Sequence, residues 1–158
     1  MLRLAKLADY GLLIACHLAS TSGELVKLEQ VAEATGLSIP TVRKVMKLLV
    51  DADVVRSERG VKGGYLLSRP APQISIAQVI AAVEGGLALT ECCRDDCLCD
   101  VSKACTVQNN WNVINRTVGE IFAKVTLADM ARPLTRADVL AYIDDRSDSN
   151  RLNYVAVG

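Results

Sequence analysis

The stretch from Leu28 to Ser68 leaves this 158-residue chain few folds to choose from. Residues 28–35 (L-E-Q-V-A-E-A-T) have the pattern of a short helix, and Gly36, Leu37 and Ser38 supply its stop and a turn. Ser38 is placed to cap a second helix. Pro40 falls in that helix's first turn, where a missing N–H costs nothing. The second helix carries Val42, Val45, Met46 and Leu49 on one stripe and Pro40, Arg43, Lys44 and Lys47 on the opposite face. Two short helices joined by a glycine-containing turn form a helix-turn-helix. Residues 54–58 then read as a strand, 59–64 (R-G-V-K-G-G) as a basic glycine-rich turn, and 65–68 as a second strand, ended by Pro70 and Pro72. A β-hairpin directly after a helix-turn-helix is a wing.

A basic outer face on the second helix suits a reader of the DNA major groove. Taken alone, Arg43, Lys44 and Lys47 could equally be a solvated helix face. The wing changes the odds, because Arg59 and Lys62 at its tip can reach the minor groove or a phosphate. The chain as a whole is neutral, with 18 basic and 18 acidic residues, yet residues 40–69 hold seven basic against three acidic. Double-stranded DNA is the expected partner.

Around this unit the chain reads as helical. Residues 2–20 are apolar almost all round: Leu4, Leu7, Gly11, Ile14, Ala15 and Leu18 form one stripe, and Ala5, Leu12, Leu13 and Cys16 lie opposite with Asp9 among them. A helix apolar on both faces is expected to be buried on both, against a core and against a second subunit. Residues 76–84 form a short helix stopped by Gly85 and Gly86. From Thr106, a long helix carries Val107, Trp111, Ile114, Val118, Ile121 and Val125 at spacings of four and three, the seam of a helix lying along a partner helix. A homodimer is expected. Residues 126–131 continue as a cap or short helix, and 135–143 as one more helix with Thr135 and Asp138 as a capping pair.

The fold is therefore expected to be mainly α with a small β-hairpin wing, a winged helix-turn-helix domain plus a long dimerisation helix. The expected units are a DNA-binding domain at 1–86, a cysteine-rich loop at 87–106, the dimerisation helix at 107–133, and a C-terminal helix with a loose tail at 134–158. Hydrophobic residues make up 51% but aromatics only 4%, so the core must be aliphatic. No apolar run reaches the roughly 18 residues a membrane span needs, and the N-terminus, with Arg3, Lys6 and Asp9, reads as helix rather than secretory signal. No membrane association and a cytoplasmic location are expected, where thiols stay reduced. No Walker or dinucleotide-binding glycine motif and no Ser-His-Asp set is present, and the single histidine, His17, reads as structural. An enzyme is not expected.

Five of the six cysteines fall within residues 92–105 (C-C-R-D-D-C-L-C-D-V-S-K-A-C). Thiols this dense in a reducing compartment hold a metal or do redox chemistry. Cys93, Cys99 and Cys105 stand six apart, while Cys92 and Cys97 break the pattern. Evenly spaced thiolates on a polar loop can fold around one polynuclear centre, because the loop has slack that a helix lacks.

With these parts in place the chain resembles the Rrf-two family of bacterial iron–sulfur transcription regulators, the IscR- and NsrR-like proteins. Residues 4–10 (L-A-K-L-A-D-Y), 31–37 (V-A-E-A-T-G-L), 59–67 (R-G-V-K-G-G-Y-L-L) and the three spaced cysteines followed by Trp111 carry the resemblance, which runs to about Pro133. Residues 88–93 (A-L-T-E-C-C) and 125–133 (V-T-L-A-D-M-A-R-P) look most like the subgroup that regulates the SUF iron–sulfur assembly operon. The resemblance implies an iron–sulfur cluster, 2Fe–2S or 4Fe–4S, held by Cys93, Cys99 and Cys105 with a fourth ligand that is not cysteine. In one branch that ligand is a histidine three residues after the last cysteine; here Gln108, a poor iron ligand, stands there. In another it is an N-terminal aspartate from the opposite subunit, and Asp9 occupies that position. Cys92 and Cys97 also lie within loop reach. The resemblance further implies that Ser38, Thr41, Arg43 and Lys44 read DNA, with Arg59 on the wing, and that cluster state switches repression of cluster-assembly genes. A zinc-binding or thiol-redox winged-helix regulator is the alternative.

Overall fold

A computed structural model describes residues 5–21, 23–60, 62–93, 99–100 and 104–144. The first helix, α1, spans Lys6–Ser20 and buries Ala8, Gly11, Ile14, Ala15 and Leu18. Its other side lies open within the protomer, with Asp9 exposed and Leu13 45% exposed, so the expected burial on both faces is met on one. Helix α2 spans Leu28–Thr35 and closes on Gly36 at φ 68°, a left-handed conformation that glycine adopts without steric cost. Helix α3 runs Ile39–Asp51. The Ser38 hydroxyl caps it, accepting the Thr41 N–H at 3.4 Å and pairing with the Thr41 hydroxyl at 2.8 Å. The predicted stripe of Val42, Val45, Met46 and Leu49 is buried in full, each side chain contributing on the order of 1.5–3 kcal/mol.

Strand β1 (Val55–Glu58) pairs antiparallel with β2 (Gly64–Leu67), Val55 opposite Leu67 and Glu58 opposite Gly64. Gly64, expected in the turn, is the first residue of β2. Its ladder partner is Glu58 across the hairpin, and on the other side Val26 and Tyr65 exchange both backbone hydrogen bonds at 2.9 Å, laying the segment before α2 along the wing. A Cβ on Gly64 would sit 2.8 Å from the Val26 carbonyl oxygen, so only glycine allows that approach. Gly64→Ala is expected to lower stability by ~1–3 kcal/mol through overpacking, read as a fall in thermal midpoint. An unchanged midpoint would show that the Val26 segment does not brace the wing. At the wing's other end, the Ser68 hydroxyl donates to the Val54 carbonyl at 3.2 Å, tying the strand exit to the end of α3.

Helix α4 (Ile76–Glu84) starts at a reciprocal Ser75–Gln78 capping box and ends on Gly85, φ 79°. It packs on α1, α3 and the following helix α5 (Gln108–Lys124). A Cβ at Gly11 would lie 3.2 Å from Val83 Cγ1, so glycine there lets α1 and α4 approach closely. Ile14, Leu18, Val42, Leu49, Val79 and Ile80 share the single aliphatic core.

The predicted seam is only partly right. Val107 and Val125 lie outside α5, and the side of α5 that turns into the protomer carries Trp111, Asn115, Val118, Gly119 and Phe122. Val113 is 65% exposed, Ile114 46% and Val107 49%. Val125 belongs to the core instead: it is buried, and its carbonyl accepts the Ile76 N–H at 2.9 Å beside a bridge between Ser75 and Thr126. Two short helices follow, α6 (Leu127–Met130) and α7 (Arg136–Asp144). Both open on capping boxes, Thr126 with Asp129 and the predicted Thr135 with Asp138. Partial burial pushes the Asp129 carboxyl up, but the Thr126 N–H and hydroxyl, with Arg132 and Tyr142, outweigh it and hold the group below the usual range. The Thr135 hydroxyl and N–H do the same for Asp138. Arg132 lies 3.1 Å from Asp129 and 3.7 Å from Asp138, joining the two boxes. Of the stretch expected to be loose, 144–158, Asp144 is instead the last residue of α7, and 145–158 lie outside the described residues.

Candidate functional site

Two surfaces carry functional side chains, and α4 stands between them. The first is the outer face of α3 with the wing. Arg43, Lys44, Lys47, Arg59 and Lys62 are all exposed, and none is in an ion pair among the described residues. Cations left unneutralised by the protomer are available for phosphates. Thr41 is half-buried and Ser38 exposed, and their hydroxyls are engaged with each other, so these two residues hold the helix start. Lys27, which sequence patterns did not single out, is exposed and shares a shallow cleft with Arg59, between the start of α2 and the wing. The Val26–Tyr65 pairing puts it there, and no local signal shows that pairing.

The second surface is the cysteine loop. Residues 91–93 form a 3-10 turn packed on α5, with the Cys93 N–H donating to the Thr90 carbonyl at 3.0 Å. The Thr90 hydroxyl lies 3.1 Å from both Cys92 Sγ and Cys93 Sγ, holding the two thiols to one side. Cys92, Cys93, Cys99 and Cys105 are all free and half-buried. Cys97 lies outside the described residues. Among the described residues no three or more His, Cys, Asp or Glu side chains are close enough to hold a metal. Cys93, Cys99 and Cys105 are therefore not gathered within the protomer, and Asp9 stands exposed on the open side of α1. Cys16 is a thiol of another kind: it is half-buried in α1, and burial pushes its pKa up. Asn115 was missed altogether. Its side chain accepts the Leu89 N–H at 2.9 Å and donates to the Leu87 carbonyl at 3.3 Å.

A sequence model of the Rrf2 family, described as iron-dependent transcriptional regulators, matches residues 4–133. The chain belongs to the Rrf2 family. An HTH-type transcriptional regulator of Mycobacterium tuberculosis is 30% identical over 148 residues, covering 91% of this chain and 90% of its own. Among solved structures, CymR, the global cysteine regulator of B. subtilis, superposes with a TM-score of 0.65 at 28% identity, over 83% of this chain and 97% of CymR. IscR of T. potens does so with a TM-score of 0.61 at 30% identity, over 82% and 85%. These relatives are winged-helix, DNA-binding transcription regulators and not enzymes, and so is this Rrf2 chain. Among the described residues no helix is long and apolar enough to cross a membrane.

Proposed function

We propose that this Rrf2-family regulator binds its operator as a homodimer, and that an iron–sulfur cluster held by Cys93, Cys99 and Cys105 sets its affinity for DNA. The observation that carries the reading is where the thiols sit. Cys93 and Cys105 stand on the segment joining α4, which packs directly on α1 and α3, to α5. Whatever fixes that segment biases the placement of α3. The donor set suits the group: the thiols are free and reachable by solvent, their polar loop can close on a centre, and thiolates are the usual ligands of such clusters. When bound, the cluster supplies redox-active iron whose stability depends on oxidants and iron supply.

The remaining work falls to the chain's own residues. Asp9, exposed on α1, is the proposed fourth ligand, offered to the thiols of the second subunit. Arg43, Lys44 and Lys47 would meet the major groove, with Ser38 and Thr41 at the helix start, while Arg59, Lys62 and Lys27 take backbone phosphates. Two recognition helices must stand about 34 Å apart to read successive grooves, so a small rotation of α4 and α3 changes affinity. The SUF-like stretches at 88–93 and 125–133 support iron–sulfur assembly genes as the target.

A second reading keeps the winged helix but replaces the cluster with zinc or reversible thiol chemistry. The free half-buried thiols and the likeness to CymR, a cysteine regulator, favour it. Anaerobic purification separates the two. Brown protein with visible charge-transfer absorption and iron and sulfide bound supports the cluster; colourless protein with stoichiometric zinc, or with DNA binding governed by thiol oxidation alone, sinks it. Footprinting on the protein's own promoter then identifies the operator. Arg59→Ala is expected to weaken DNA binding about tenfold and to reduce the salt dependence by about two counterions per dimer, one for each copy, with the visible spectrum unchanged. Loss of both properties would argue against an independent wing.

A further inference from the structure

We propose that Asn115 is a positioning residue that latches the entrance of the cysteine loop to α5, so that a change at the thiols is passed to α5 and α4 rather than absorbed by the loop. The inference deepens the sensing reading above and rests on it. Helix α4 ends on two successive glycines, Gly85 at φ 79° and Gly86 at φ 140°. Such a pair is a hinge: left alone, the chain beyond it could move without disturbing α4. Asn115 removes that freedom. One side-chain amide grips the backbone on both sides of Ala88, accepting from the Leu89 N–H and donating to the Leu87 carbonyl. Between described residues, these are the only hydrogen bonds tying residues 87–89 to another element.

From Leu89 the connection to sulfur is short. Thr90 follows, its hydroxyl 3.1 Å from Cys92 Sγ and Cys93 Sγ, and its carbonyl receives the Cys93 N–H. The latch also has an anchor at the far end of α5. There the Ile76 N–H donates to the Val125 carbonyl and the Leu127 N–H to the Ile74 carbonyl, each at 2.9 Å. The start of α4 is thus fastened by backbone bonds to the segment that leaves α5 and opens α6, and the segment just beyond its last turn is fastened to α5 by one side chain. Breaking the side-chain end alone lets the cysteine segment swing on the glycine hinge.

Asn115→Leu keeps the branching of the side chain and removes both hydrogen bonds; Asn115→Asp keeps the volume and the acceptor for Leu89. The first measurement uses metal-free, reduced full-length protein, with alkylation by a maleimide followed residue by residue through peptide mass spectrometry. Cys16 in α1 serves as the internal reference. Asn115→Leu is expected to raise the alkylation rates of Cys92 and Cys93 by about tenfold, with Asn115→Asp intermediate and Cys16 unchanged. The second measurement is DNA binding with and without reconstituted cluster: the affinity ratio between the two forms should collapse towards one in Asn115→Leu, with cluster content retained. Unchanged Cys92 and Cys93 rates, or a parallel rise at Cys16 that reports general loosening, would overturn the latch. A wild-type protein that takes up no cluster defeats the sensing reading instead, and is told apart because the alkylation rates need no metal.

Discussion

Cys99→Ser is expected to give a colourless protein whose DNA affinity no longer differs between anaerobic and air-exposed preparations. Cys99 is the middle member of the six-residue series, and a half-buried free thiol. A serine hydroxyl at that place matches the thiol in shape but stays protonated near neutral pH, whereas a cysteine thiol ionises near 8.5 and is lowered further beside a metal. Loss of a thiolate from a three-thiolate set should drop iron and sulfide content to near zero, since two such ligands on a loop cannot hold the centre. Cys92→Ser is the matched control. Cys92 shares the Thr90 hydroxyl with Cys93 but lies outside the even spacing, so its loss should leave the cluster in place. Asp9→Ala falls between them: an altered visible spectrum with cluster retained is expected of a fourth ligand contributed across a dimer. Normal iron and sulfide in Cys99→Ser would end the spacing argument and point to a ligand set drawn from the other thiols, Cys92 among them.

What could be read from the chain in advance was whatever short-range chemistry decides. Ser38 and Pro40 mark the start of α3, Gly36 and Gly85 stop α2 and α4 at positive φ, and the Thr135–Asp138 box starts α7; each is settled within a few residues. The α3 stripe was legible for the same reason, one face apolar and the other basic. Contacts made by backbone polar groups across long separations were not legible. The Val26–Tyr65 and Ser75–Thr126 bridges leave no trace in side-chain pattern, yet the first brings the Val26 backbone against Gly64 and Lys27 beside Arg59, and the second accompanies the burial of Val125 in the core. In α5 the misreading has a different cause. Apolar residues at spacings of three and four can be phased in more than one way, and the protomer selects Trp111, Asn115, Val118 and Phe122. A polar residue at 115 hides that phase from any apolar pattern. It is there because the chain turns back at 87–89 and presents an N–H and a carbonyl that need partners. The cysteine spacing, by contrast, was plain, while among the described residues Cys93, Cys99 and Cys105 are not gathered into one site.

Ile114→Asp is expected to convert the protein from dimer to monomer and to cost DNA affinity a hundredfold or more. Val107, Val113 and Ile114 are large apolar side chains about half or more exposed, and Leu13 on the open side of α1 is 45% exposed. Scattered apolar residues need no explanation on a surface, but three of these cluster on and just before one helix whose other side is occupied by the protomer. A second copy of α5 is the proposed cover. In the monomer, aspartate at 114 faces water and costs little. In a two-fold dimer the carboxylate appears twice in a seam from which water is excluded, and an unpaired buried charge costs several kcal/mol. Sedimentation or light scattering should therefore report half the wild-type mass, with a lower thermal midpoint that no longer depends on protein concentration. The DNA effect follows from avidity: two linked recognition helices exceed one by about 10²–10⁴ in affinity, and a monomer forfeits that factor without losing any contact in its own half-site. The same variant also tests the route by which the thiols would act. If Asp9 completes a partner's site, a monomeric Ile114→Asp protein must show the same altered visible spectrum as Asp9→Ala even though Cys93, Cys99 and Cys105 are intact. A stable monomer with normal cluster would locate the fourth ligand within the subunit, and a wild-type mass would move the interface away from this face of α5.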